Sequence, residues 1–170
     1  MDTAEFRRRL ASWDLPLGPF RELEDIDKEM QQAAFEMGPD AATALADLTI
    51  TIEREQSSHR QVFIEFMTYY AKAFPEALTS ALLERLSANG PPLAVLILGS
   101  TGSPTASSGL LSKVNLDTAD DDLLEAVAST LGELGDARSI AALRALAGRD
   151  DLSERVRNEI KISLWDVDGH

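Results

Sequence analysis

The chain has 170 residues, 44% apolar and 26% charged, a length and balance that suit one globular domain or two small ones. Its 29 acids against 16 bases give a net charge of −13, the wrong sign for nucleic acid or an anionic membrane surface and the right sign for a basic protein surface. The absence of cysteine excludes disulfides, thiol nucleophiles and Cys-ligated zinc, and the lack of a signal-like start or a long apolar run leads to the expectation of a cytoplasmic protein.

The elements read as helices in chain order. Arg7-Arg8-Arg9 is the only basic run and reads as the solvated face of a short helix. From Pro19 to Gly38, apolar Phe20, Leu23, Ile26, Met30 and Ala34 follow a helical face, with proline at the first position and glycine at the end. The acids Glu22, Glu24, Asp25, Asp27 and Glu29 of this segment read as its solvated side, since no Glu-x-x-His accompanies them. Pro39 restarts a helix through Ala42, Leu45, Leu48 and Ile52, although the β-branched run Thr49 to Ile52 disfavours it. "SSHRQVFIEFMTYYAKAF" opens on serines suited to capping and is apolar around most of its circumference. In it, Tyr69 and Tyr70 both require polar partners for their hydroxyls. "PEALTSALLERLSANG" opens on proline and closes on glycine, with Leu78, Leu82 and Leu86 spaced by four.

"LAVLILGSTGSP", residues 93 to 104, looks like a strand entering a glycine loop for a nucleotide. An internal repeat argues otherwise. Shifted by 33 residues, Leu98, Gly99 and Gly102 fall on Leu131, Gly132 and Gly135. The second copy reads as helix, Gly135-Asp136 turn, helix, so the first copy is the end of a buried helix. A third glycine, a following lysine and further strands are all missing from the nucleotide pattern. Strand and hairpin signals are nearly absent elsewhere, and the chain is expected to hold eight to ten helices.

The two-helix unit "LGELGDARSIAALRALAGRDDLSERVRNEIKISL" resembles HEAT repeats of the short bacterial type, also seen in phycobilin lyases. Leu131, Gly132, Leu134, Gly135, Asp136, Ala142, Leu143, Leu146, Asp150, Val156 and Arg157 fill the pattern, whereas Leu123-Leu124 stands where the family has Val-Arg. The resemblance implies an all-α, right-handed α-α superhelix of about four helical hairpins. Residues 1–38 then serve as a non-repeating helical cap and residues 39–170 as HEAT-like repeats within one compact domain.

Catalytic and metal signatures are weak. His59 and His170 are the only histidines and lack ligand spacing. Asp117, Asp120, Asp121 and Asp122 miss the glycine and glutamate of a calcium loop and suit a helix N-terminus instead. No catalytic, cofactor or metal residue is therefore assigned, and no cofactor is expected. HEAT-like stacks bind on the concave side through their second helices. The resemblance thus points to Asp122, Glu125, Ser129, Glu154, Asn158, Lys161 and Trp165 as partner-binding residues, with Arg157 in a structural role and Trp165 as the strongest anchor. The expected function is a non-enzymatic scaffold or adaptor for a basic protein partner, with no nucleic acid or membrane bound. The alternatives are an inhibitor or immunity protein for a basic toxin, or a ligand-handling protein of the phycobilin-lyase kind.

Overall fold

The computed structural model describes residues 3–13, 23–55 and 58–167. Pro19, Phe20, Glu22 and His170 lie outside these residues. The helices are α1 (Thr3–Trp13), α2 (Leu23–Met37), α3 (Ala42–Arg54), α4 (Arg60–Ala73), α5 (Pro75–Arg85), α6 (Pro92–Gly99), α7 (Ala106–Lys113), α8 (Asp121–Leu134), α9 (Ala137–Ala147) and α10 (Glu154–Val167). A single 3₁₀ turn, Pro39–Ala41, leads into α3. Among the described residues there is no strand, only an isolated bridge between Ser87 and Gly90 in the α5–α6 turn.

Helices α5 to α10 form three hairpins stacked in two layers. One layer is α5, α7 and α9; the other is α6, α8 and α10, and within it each helix packs against the next. The residues of "LAVLILG" are helical, as the repeat argues. Gly102 and Gly135, one repeat apart, both hold left-handed backbone at φ 58° and 59°. Asp136 then caps α9 by accepting from the Ser139 N–H at 2.8 Å, and Asp120 caps α8 by accepting from Leu123 at 2.9 Å. Asp121 and Asp122 follow in the first turn of α8, where the helix dipole favours them.

Close approach in the second layer is made by small residues. A Cβ on Gly132 would lie 2.7 Å from Ser163 Cβ on α10, and one on Gly99 would lie 3.3 Å from the Thr130 Cα on α8. Thr130 stands to Ser163 as Gly99 stands to Gly132, one repeat on. The Thr130 hydroxyl also donates to the Val95 carbonyl of α6 at 2.7 Å. Each hairpin is thereby keyed to its neighbour at the same point.

The loops within the hairpins are tied by arginines. Arg157 donates to the carbonyls of Asp150 and Leu152, the structural role its motif implies. Leu124, buried at the equivalent position of the preceding repeat, cannot do this. There Arg149 donates to the Leu116 carbonyl at 2.7 Å while its fork holds Asp151 at 2.7 and 3.0 Å. The family's missing arginine is thus compensated from the following repeat.

At the other end, α1 and α2 pack on α4, and α3 packs on α5 and α6. Phe6 and Trp13 of α1 close on Phe66 of α4, with ring centroids 4.7 and 5.7 Å apart. Tyr70 is fully buried and donates its hydroxyl to the Gly38 carbonyl at 2.7 Å; burial, with Asp40 nearby, pushes its pKa up to about 12. Tyr69 is half-buried; burial and the Asp27 carboxylate push its pKa up. The arginine run lies on the solvated side of α1, with Arg7 paired to Glu55 and Arg9 to Glu5.

The helix expected through the β-branched run of α3 is present: Thr49 and Ile52 are buried, and the Thr49 hydroxyl donates to the Leu45 carbonyl at 2.9 Å. Two local expectations are corrected. No serine caps α4: His59 occupies that position, and its side chain makes no capping hydrogen bond to the helix. α5 stops at Arg85, before its glycine, because buried Leu86 turns to extended backbone.

Gly132→Val should lower the free energy of unfolding by about 1–3 kcal/mol through overpacking against Ser163. Gly102→Ala, which meets open space and is strained only by its positive φ, should lower it by about 1–2 kcal/mol. Urea titrations of both variants check the two values.

Candidate interaction cleft

The start of α6 sets up the site. Pro91 and Pro92 carry no N–H, so Leu93 supplies the first donor of the helix, and no residue of its own segment caps it. Glu53, from the last turn of α3, accepts this N–H at 3.0 Å through Oε1. Its Oε2 is buried without a hydrogen-bond partner. Burial pushes the Glu53 pKa up, while the Leu93 N–H and the Arg60 guanidinium pull the other way.

Glu53 is one wall of a cleft of about 320 Å³ that opens across α6, α8 and α10. Pro92 and Leu96 of α6 and Ala126 of α8 give it an apolar lining. Asp122, Glu125 and Ser129 of α8, Glu159 of α10 and Arg60 of α4 complete it, so four acids face one base. Arg155, also from α10, bridges two of these acids: it contacts Asp122 closely and places Nε 3.1 Å from Glu125. The Asp122 contact first, and then the neighbouring acids, hold its pKa up. Behind the cleft, the Glu133 carboxylate lies over Gly99, and burial plus the Glu159 charge push its pKa up.

Of the residues singled out in the sequence, Asp122, Glu125 and Ser129 come together here. Glu154, Asn158, Lys161 and Trp165 do not. Val156, Ile160 and Ser163 turn into the stack, and at 3.6 residues per turn the other four project from the opposite, exposed side of α10. The α10 residues turned toward the cleft are Arg155 and Glu159, which stand one repeat after Asp122 and Ala126, so the repeat offset held the signal for them. Glu53 and Arg60 precede the region of clear repetition, and nothing in their spacing marks them.

Two layers of stacked helical hairpins with a cleft across one layer define an α-solenoid. Residues 75–165 match the profile of HEAT repeats, more than half of the 170-residue chain. The chain belongs to the HEAT-repeat family. No curated protein and no solved structure matches it. HEAT repeats commonly mediate protein–protein interaction, and no helix among the described residues is long and apolar enough to cross a membrane.

The raised carboxyl of Glu133 has a direct consequence for stability. The folded chain holds its proton above the ordinary value of 4.5, so the fold loses stability as pH rises from there through the raised value. Glu133→Gln should raise the melting temperature at neutral pH and flatten that decline, as read by thermal denaturation across the acid range.

Proposed function

We propose that the protein is a non-enzymatic interaction module whose cleft receives a basic segment of a partner protein. The observation that carries this reading is the composition of the cleft: Glu53, Asp122, Glu125 and Glu159 surround an apolar lining of Pro92, Leu96 and Ala126. With Arg155 seated on Asp122 and Glu125, Arg60 is the base of the lining that faces the remaining acids. An apolar stem with a cationic head, as lysine and arginine have, suits such a surface. Arg155, seated on Asp122 and Glu125, is an example of this chemistry supplied by the chain itself.

Glu53 and Glu159 are the acids of the cleft that Arg155 does not engage, and in this reading they meet the partner's cation. Ile162, 57% exposed and one repeat after Ser129, extends the apolar lining along α10. A phosphate backbone would meet the same carboxylates unfavourably, which supports a protein partner over nucleic acid. Residues 1–38, whose helices α1 and α2 pack on α4, act in this reading as the end cap.

The test is affinity capture from native lysate with the wild-type chain and with Glu159→Lys, at low and high salt. A basic protein held by the wild type, released by salt and lost with the charge reversal is the expected result. Identical captures by both chains would rule out the cleft as the binding surface.

A further inference from the structure

The far side of α10 is independent of the cleft and has a chemistry of its own. Its residues Glu154, Asn158, Lys161 and Trp165 recur at spacings of four, three and four, the pattern of a single contact seam along a helix. One repeat earlier, the same positions are Asp121, Glu125, Ala128 and Gly132, the side of α8 on which α10 stacks. There, Ala128 and Gly132 are small, and α10 comes close enough that a Cβ on Gly132 would meet Ser163 at 2.7 Å. On α10 the two small residues become Lys161 and Trp165. A further hairpin stacked in the same way would have to pass through an indole. The glycine series 99, 132 therefore ends at 165 with a residue that stops the stack, yet that tryptophan is 61% exposed.

What this face fits is another helix at a wider separation, and its charges indicate which one. Glu154 and Lys161 carry opposite signs along the seam, with Asn158 between them. Two copies of α10 laid antiparallel about Asn158 set Glu154 of each beside Lys161 of the other, twice over. Neutral, polar Asn158 lies on the axis, and each Trp165 reaches over the α9–α10 turn of the other copy. We infer that the outer face of α10 is a two-fold interface with a second copy of this chain, anchored by Trp165 and paired through Glu154 and Lys161. The face is self-complementary, as an isologous contact requires. One helix of 14 residues spans about 21 Å, which places the contact at the small end of interface sizes and makes a concentration-dependent dimer the expected form. Because each chain carries −13, moderate salt should aid association by screening the long-range repulsion.

Sedimentation velocity over a wide range of concentration tests this, with circular dichroism to verify that each variant is folded. The wild type should shift from monomer to dimer. Lys161→Glu and Glu154→Lys, each of which sets like charges together twice, should weaken association by about tenfold or more. Mixing the two single variants restores both opposite-charge pairs and should recover the dimer, a result that a merely unfolded variant could not give. Trp165→Ala should also weaken it, and because Trp13 is buried, a shift in wild-type tryptophan emission on association reports Trp165. A wild type that stays monomeric throughout, or a dimer indifferent to the charge changes, would overturn the inference.

Discussion

Backbone-to-side-chain contact between successive second-layer helices, made at one glycine per repeat, governs how this protein is built. Gly99 lies against Thr130 and Gly132 against Ser163, and nothing larger than hydrogen fits at either glycine without displacement. That constraint fixes the translation from one hairpin to the next. It also brings α6, α8 and α10 close enough for side chains on three separate helices to line a single cleft. The cap positions follow the same repeat, with left-handed glycines at 102 and 135 turning the chain back into the other layer.

Charge is distributed over this frame in a way that net charge alone does not convey. Several acids are committed locally: Asp120 and Asp136 cap helices, Asp151 holds Arg149, and Asp122 and Glu125 hold Arg155. Exposed pairs of this kind contribute little to stability, typically up to about 1 kcal/mol. Their effect here is positional, since Arg155 and Asp122 are one repeat apart and set neighbouring helices in register. Glu53 and Glu133 are different, because burial holds each carboxyl above its ordinary value. Glu53 lies in the wall of the cleft where binding is proposed, and Glu133 lies beside Glu159, which lines it.

The sequence reveals the features that repeat. The offset of 33 residues, the Gly-Asp turn and the proline starts are all local or periodic, and the helices follow them. Asp122, Glu125 and Ser129 are legible as members of a second helix. Arg155 and Glu159 are legible only by carrying Asp122 and Ala126 forward by 33 residues, because the face of α10 taken alone is ambiguous. Glu53 is illegible for another reason: it caps a helix 40 residues away, a contact that no spacing rule encodes. The Arg149 clamp on Leu116 is hidden likewise, since it replaces an arginine absent from its usual place.

The three stacked hairpins are not equally protected from opening. In a linear array, each unit is stabilised by its neighbours, and units held from both sides open last. α8 is gripped by Gly99's helix on one side and by Ser163's helix on the other, whereas α10 is gripped along a single side. Amide hydrogens in the middle of α8 should therefore exchange most slowly in this half of the chain. Loss of α10 by fraying would release Arg155 from Asp122 and Glu125 and carry Glu159 away with it. The cleft is therefore complete only while the α9–α10 hairpin is seated, so breathing of that hairpin and availability of the cleft are one equilibrium.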